Sequence, residues 1–226
     1  FVICLKIPNL FRRFFAEGAL NQAFIPIYSE YEKAENERNT YELINAVAGT
    51  LITILFIFTI LILIFAPAFI FLFAPGFYFD PFKQDISVAV LRIMFPYLSL
   101  ISLVAFAGGI QNTHNKYSVP AYTPVIFNLC LIIAAILIAP MYEMPIFVLA
   151  WGVLLAGILQ LLIQILPLWQ IKRLPVPKIN FKNSGLRRFL KLVAPAILAG
   201  GFAMYCRRSA VRSVWQARLL GLNMNS

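Results

Sequence analysis

A long uncharged run constrains this chain more than any other feature of its sequence. From Leu43 to Tyr78 there is no Asp, Glu, Lys or Arg. About 20 apolar residues are enough for a helix to cross a bilayer, and a helix that is apolar on every face is typical of a membrane span. We therefore predict an all-α polytopic membrane protein.

The composition of the chain supports this fold class. Of its 226 residues, 61% are hydrophobic and only 12% are charged, whereas soluble domains have about 25% charged residues. Further apolar runs, separated by Pro/Gly-rich or polar loops, predict four full spans. They cover approximately residues 43–73 (interrupted at Pro67), 86–112, 125–139 and 146–170.

The positive charge of the chain is concentrated beside these spans. The formal net charge is +10, and seven Lys/Arg lie between Lys172 and Lys191. A basic loop next to a span is typical of the cytoplasmic side, where it meets anionic lipid, so we predict a membrane partner and no nucleic acid. Since short loops make successive spans antiparallel, the inside and outside loops alternate. Loops 171–191, 113–120 and 32–42 are then cytoplasmic, and loops 74–85 and 140–145 are outside.

Side chains that carry covalent or metal chemistry are sparse. Cys4, Cys130 and Cys206 are far apart in the sequence, and the single histidine, His114, has no neighbouring carboxylate or cysteine. We interpret His114 as a solvated loop residue rather than a ligand. The sequence predicts no enzyme activity, no metal and no cofactor, and it indicates no oligomeric state.

A charged stretch interrupts the apolar character near the start of the chain. Arg13 and Glu17 are four residues apart and share a helical face, whereas Arg12 points about 100° away from Arg13. Such arginines either extend to the membrane interface from a helix end or face a wet cavity that binds an anion. The physical chemistry of the stretch leaves both interpretations open.

Proline and glycine recur within or near the predicted spans. They permit close helix packing, for which Ala105 and Gly109 have the small-xxx-small spacing, or they mark kinked helices that line a cavity. Both interpretations apply to the same residues, which are Gly49, Pro67, Pro96, Gly108, Gly109, Pro124 and Gly157.

Three collinear stretches resemble the MurJ/MviN lipid II flippase family. They are "KIPNLFRRFFAEGALNQAFIPIYSEY" (6–31), "FPYLSLISLVAFAGGIQNTHNKYSVPAYTPVIFNL" (95–129) and "LPVPKINF…GLRRFLKLVAPAILAGG" (174–201). The first two are long and specific. The resemblance implies part of one lobe of a two-lobe, fourteen-helix exporter fold, in the multidrug/oligosaccharidyl-lipid/polysaccharide exporter superfamily.

The resemblance also implies a function and site residues. The family moves lipid II, an undecaprenyl-pyrophosphate-linked cell-wall precursor, across the bacterial cytoplasmic (inner) membrane by alternating access. Matched motif to motif, Arg12 is expected to contact the pyrophosphate and Glu17 to orient or gate the arginines. Arg13 and Asn9 are further candidates for substrate binding. The alternatives are an exporter of another lipid-linked oligosaccharide or of drugs, and an inactive truncated remnant.

The resemblance divides the chain into two parts. Residues 1–201 are expected to form a partial N-terminal lobe, from the end of the second helix to the start of the seventh, and we interpret Phe1 as the start of a fragment. Residues 202–226 depart from the family pattern, with four arginines, no lysine and no isoleucine. They are either a native basic tail or the product of a reading-frame change, and the abrupt end of the match favours the frame change.

Overall fold

The structure is a computed structural model, and it describes residues 4–5, 9, 20–73, 80–178, 180 and 183–193. Every regular element within these residues is a helix. Four helical segments there are long and apolar enough to cross a membrane, namely Glu37–Ile64, Pro81–Thr113, Ser118–Met141 and Pro145–Gln170. The prediction of an all-α polytopic membrane protein is confirmed.

A short polar turn follows the helix that begins at Leu20. Helix α1 (Leu20–Lys33) continues through Pro26. Glu35 then adopts a positive φ of 52°, which turns the chain. Asn36 caps helix α2 (Glu37–Ile64) by accepting a hydrogen bond from a backbone N–H of the first turn.

The predicted interruption at Pro67 divides the first span. Helix α2 ends at Ile64, with Phe65 as its C-cap, and the short helix α3 (Ala66–Phe73) begins one residue before the proline. Because proline lacks an N–H group, it is tolerated in the first turn of a helix but not in its interior hydrogen-bond ladder. The proline therefore starts a new helix.

The second span consists of two helices that meet at a proline. Helix α4 (Pro81–Met94) has Asp80 as its N-cap and proline at its first position, and helix α5 (Tyr97–Thr113) follows Pro96. The helical segment begins five residues before the predicted start at residue 86, because Asp80 and Pro81 are a strong helix-start signal.

The third span begins earlier than predicted. Helix α6 (Ser118–Ile133) starts inside the stretch that had been interpreted as a loop up to Pro124. Pro120 falls in the first turn, where no intrahelical N–H bond is lost, so the helix forms around it. The span ends in a π turn (Ala134–Ile138) and a short 3-10 turn.

Helix α7 (Pro145–Gln170) is the centre of the packing, because it contacts α4, α5 and α6. Gly157 allows its closest approach to α5, since a Cβ at this position would lie 2.7 Å from Tyr97 Cδ2 and 3.2 Å from Leu100 Cβ. Large apolar side chains on the outer faces of α2, α6 and α7 are exposed, as is expected of surfaces that face lipid.

The chain after α7 returns to α1 and α2. Residues 184–193 are helical, and Phe189 packs edge-on against Phe24 of α1 at 6.2 Å between ring centroids. Gly49 of α2 lies against the backbone of Lys178, which leaves no room for a Cβ. The described part of the segment after α7 thus packs against both α1 and α2.

Candidate functional site

The four predicted site residues are described unequally. Arg12, Arg13 and Glu17 lie outside the described residues. Asn9 is described: it is helical, partly buried, and lines a cavity of about 400 Å³. The cavity beside Asn9 is therefore where the described structure meets the predicted site.

The cavity lies between α5, α6 and α7, within the bundle. Its volume falls within the range of about 300–1,000 Å³ that is typical of small-molecule sites. No Asp, Glu, Lys or Arg belongs to its wall among the residues that the structure describes. The polar part of the wall consists of Asn9, Asn112, Thr123, Asn128, Gln160 and Gln164.

Two buried glutamines, Gln160 and Gln164, line this cavity, and a third, Gln111, is hydrogen-bonded to Gln164, although glutamine is mostly an exposed residue. Gln111 is 0% exposed, Gln160 is 2% exposed and Gln164 is 1% exposed. The side-chain amide of Gln111 donates to Gln164 Oε1, and Gln164 Nε2 donates to Thr123 Oγ1 at 3.2 Å. The chain of hydrogen bonds connects α5, α7 and α6 in that order.

Gln160 joins the same network by a separate contact. Its Nε2 donates to the backbone carbonyl of Thr123 at 2.7 Å. Its Oε1, like Gln111 Oε1, is buried and accepts no hydrogen bond from the described residues. An unpaired buried acceptor is costly unless water or a ligand donates to it.

The structure separates the two interpretations of the glycines and prolines. Gly108, Gly109 and Pro124 line the cavity, as expected of helices that border a ligand space. Gly49 and Gly157 instead allow close packing, because a Cβ at either position would lie within 3 Å of a neighbouring segment. Close helix packing therefore applies to Gly49 and Gly157, and the lining of a cavity applies to Gly108, Gly109 and Pro124.

A second polar cluster lies at the end of the bundle where α1, the α5–α6 loop and the segment after α7 meet. Arg173 Nη2 donates to Glu32 Oε1 at 2.9 Å, and the two side chains are 13% and 24% exposed. Tyr28 Oη and His114 Nε2 are hydrogen-bonded at 2.8 Å. These contacts connect three segments that are distant in sequence.

The interpretation of His114 as a solvated loop residue is wrong. The side chain is 23% exposed, and its Nε2 lies 3.6 Å from Glu32 Oε1 as well as close to Tyr28. Burial lowers the pKa of His114; Glu32 opposes this shift and Arg173 reinforces it. The loop position suggested solvation, but the fold places the ring against α1.

In the described part of the chain, no group of three or more His, Cys, Asp or Glu side chains converges.

The sequence did contain a signal for the cavity. Gln160 and Gln164 are four residues apart in an uncharged span, so they share one helical face. Polar side chains on one face of a span point to a packed or wet interior rather than to lipid.

Comparison with known proteins gives one consistent family. A family model described as "Lipid II flippase MurJ" matches residues 1–206. The probable lipid II flippase MurJ of Buchnera aphidicola subsp. Acyrthosiphon pisum is 40% identical over 198 residues, which cover 88% of this chain and 39% of that protein. The lipid II flippase MurJ of Burkholderia cenocepacia is 35% identical over 203 residues, with 88% and 39% covered.

A solved structure is also similar. It is described as lipid II flippase MurJ in an inward closed conformation, and it aligns with a TM-score of 0.70 and 28% sequence identity. The alignment covers 88% of this chain and 40% of that one. The chain thus spans about two fifths of the length of the curated relatives that it matches.

Proposed function

The chain belongs to the lipid II flippase MurJ family, and on this premise we propose that it forms part of the first lobe of a lipid II flippase. Such a protein moves the undecaprenyl-pyrophosphate-linked peptidoglycan precursor across the bacterial cytoplasmic (inner) membrane for cell-wall synthesis. The observation that carries the proposal is the match to the family model over residues 1–206, which includes the charged stretch. The proposed activity is transport, with no covalent step by this chain.

Arg12 is the proposed pyrophosphate ligand. A guanidinium group presents several N–H donors in a planar fork, which matches the geometry of phosphate oxygens. Glu17 would orient or gate the arginines, since a carboxylate at this spacing can pair with Arg13 on one helical face. Asn9 precedes Arg12 by three residues and lines the cavity, which supports a ligand-facing position for this part of the chain.

The proposed orientation places loop 171–191 in the cytoplasm. Arg173 contacts Glu32, and Tyr28 contacts His114. These contacts support the same side of the membrane for loops 32–42, 113–120 and 171–191. The seven basic residues of 172–191 support the cytoplasm as that side.

The division of the chain into residues 1–201 and 202–226 also stays a proposal. The family match supports a lobe over the first part and extends to residue 206. Residues 194–226 lie outside the described residues. Translating the encoding DNA in all three frames after codon 201 would distinguish the two. A continuation of the family pattern in another frame indicates a frame change, and its absence indicates a native tail.

The test of the proposed function is a segment exchange. Residues 1–201 would replace the matching segment of the Haemophilus influenzae relative, which is 37% identical over 204 residues, in cells depleted of their own flippase. We expect the chimera to restore growth and Arg12→Ala to abolish the rescue. Arg38→Ala is the control, because Arg38 is an exposed basic residue that pairs only with Glu42 among the described residues.

The outcomes of this exchange separate the alternatives. The unaltered Haemophilus influenzae relative must itself restore growth. If it does, and the chimera inserts normally but fails to restore growth, residues 1–201 are an inactive remnant. Rescue that survives Arg12→Ala would remove Arg12 from the site. Export of a drug by the chimera, without restored growth, would favour the alternative of a drug exporter.

A further inference from the structure

We propose that a groove between α6, the turn after it and α7 binds an acyl chain of a phospholipid whose head group carries an ammonium. This outer groove has a volume of about 1050 Å³ and is lined by residues from 130–144 and from 147–159. It shares no lining residue with the cavity beside Asn9. The inference concerns a lipid bound to the outside of the bundle, and it does not depend on lipid II transport.

The groove lies where α6 stops being a regular α-helix. Ala134–Ile138 form a π turn, a rare element that occurs frequently at functional sites. In this turn Ala134 packs on α7, because a Cβ at Gly152 would lie 2.9 Å from Ala134 Cβ. Both of these small residues line the groove, and the larger Ile133 and Leu155 beside them are exposed. The groove therefore has a floor of small residues between walls of large ones.

The length of the groove matches the depth of one lipid leaflet. Its lining residues on α7 extend from Phe147 to Leu159, which is about 18 Å at 1.5 Å per residue. Half of the hydrocarbon core of a bilayer is about 15 Å. One end of the groove lies at the turn after Met141, and the other lies in the middle of α7. An acyl chain that enters from the membrane surface at this turn can therefore lie along the whole groove.

The wall of the groove is suited to hydrocarbon. Trp151 lines it and is 59% exposed, and Tyr142 at its mouth is 61% exposed. Tryptophan and tyrosine are enriched at membrane interfaces, where an apolar ring meets a polar surface. Most of the remaining wall is apolar, and it includes Ile133, Ile138, Phe147, Val148, Leu155 and Leu159.

The charge at the mouth of the groove selects the head group. Glu143 is the only charged residue of the described wall, and it makes no ion pair with another described residue. The loops 74–85 and 140–145, which the proposed orientation places outside, contain three acidic residues and one lysine. That lysine, Lys83, already pairs with Asp80 at 2.8 Å. An anionic head group is repelled here, whereas an ammonium can donate to Glu143.

Tyr142 adds a second group that a head group can use. Its hydroxyl is a hydrogen-bond donor that the described residues leave without a partner, and it is adjacent to Glu143 in the sequence. A zwitterionic head group presents a phosphate to accept from Tyr142 and an ammonium to donate to Glu143. Phosphatidylethanolamine has both groups, whereas phosphatidylglycerol has the phosphate alone.

Tryptophan fluorescence can report which lipid occupies the groove. Of the three tryptophans, Trp151 lines the groove, Trp169 is exposed at the other end of α7, and Trp215 lies outside the described residues. Two versions of the full chain would keep only Trp151 or only Trp169, with phenylalanine at the other two positions. Each is placed in phosphatidylcholine vesicles that contain brominated phosphatidylethanolamine or brominated phosphatidylglycerol at the same mole fraction. Bromine on the acyl chain quenches an indole that it contacts.

We expect brominated phosphatidylethanolamine to quench Trp151 with an apparent affinity about two- to fivefold above that of brominated phosphatidylglycerol, the size of an exposed ion pair. Trp169, beside the basic loop, should show no such preference. Glu143→Gln should remove the preference at Trp151. Asp85→Asn is the control, because Asp85 is an exposed carboxylate in α4 that does not line the groove. Both carboxylates are exposed, so neither substitution disturbs the buried packing.

Two results would overturn the proposal. If the two brominated lipids quench Trp151 equally, or if Glu143→Gln keeps the preference, the groove does not select an ammonium head group. If neither lipid quenches Trp151 while both quench Trp169, protein covers the groove, either as another part of this chain or as a second copy. A preference at Trp151 that depends on Glu143 and is retained in Asp85→Asn supports the proposal.

Discussion

Two arginine–glutamate pairs connect α1 to the segment after α7, and they differ mainly in exposure. Arg173 and Glu32 are 13% and 24% exposed, whereas Arg188 and Glu30 are 56% and 53% exposed. A charged hydrogen bond that is shielded from water is stronger, and breaking it leaves a partly buried charge without its partner. An exposed pair is screened by solvent and contributes little.

The two pairs therefore predict unequal effects of the same substitution. Arg173→Met should lower the free energy of unfolding by about 2 kcal/mol, because Glu32 loses its charged donor. Arg188→Met should lower it by less than about 1 kcal/mol. Denaturant titration of both variants in detergent micelles measures the difference. Equal losses of stability in the two variants would show that the Arg173–Glu32 pair holds α1 and the segment after α7 together no better than the exposed pair does.

Arg92 illustrates how a single charged residue can be structural inside a span. Leu63 O would normally accept a hydrogen bond from residue 67, but Pro67 has no N–H group. Arg92 Nε donates to this oxygen at 3.1 Å and replaces the missing partner. The contact gives the charge of Arg92 a role at the C-terminal end of α2.

At the scale of helices, close contact is concentrated at a few glycines. Gly157 of α7 faces Tyr97 and Leu100 of α5 at distances that exclude a Cβ. Gly108 of α5 has more space, because a Cβ there would lie 3.5 Å from Pro120 Cβ, an ordinary van der Waals contact. The two positions form a matched pair of buried glycines in spans.

Gly157→Ala should destabilise the bundle, and Gly108→Ala should not. The added methyl group at residue 157 forces α5 and α7 apart, with an expected loss of about 1–3 kcal/mol. At residue 108 alanine fits and favours the helix by up to about 1 kcal/mol. Denaturant titration of both variants in detergent micelles measures the two free energies of unfolding. A Gly157→Ala variant as stable as the parent would contradict the close packing of α5 and α7.

The helices could largely be predicted from the sequence, but the starts of α4 and α6 could not. Uncharged runs longer than a bilayer requires identify the spans, because few other structures accept them. The starts of α4 and α6 were misplaced, since Pro81 and Pro120 were interpreted as loop residues although proline fits the first turn of a helix.

For the whole molecule, the candidate site shows where sequence reasoning stops. The charged stretch at Arg12 was found from its cost in a membrane and from the family resemblance. The cavity was not, because its polar wall is assembled from α5, α6 and α7, and the pairing of Gln111 with Gln164 is visible only once the helices are packed. His114 was misinterpreted for the same reason, since Tyr28 is distant from it in sequence.

The central proposal is that this chain binds the pyrophosphate of lipid II through Arg12. The most direct measurement is lipid II affinity of the chain in nanodiscs, compared among the unaltered protein, Arg12→Ala and the Arg38→Ala control. We predict that Arg12→Ala weakens binding about tenfold or more, as expected for the loss of a charged hydrogen bond to the pyrophosphate. Arg38→Ala should bind normally. Equal affinity of the unaltered protein and Arg12→Ala for lipid II would contradict the account.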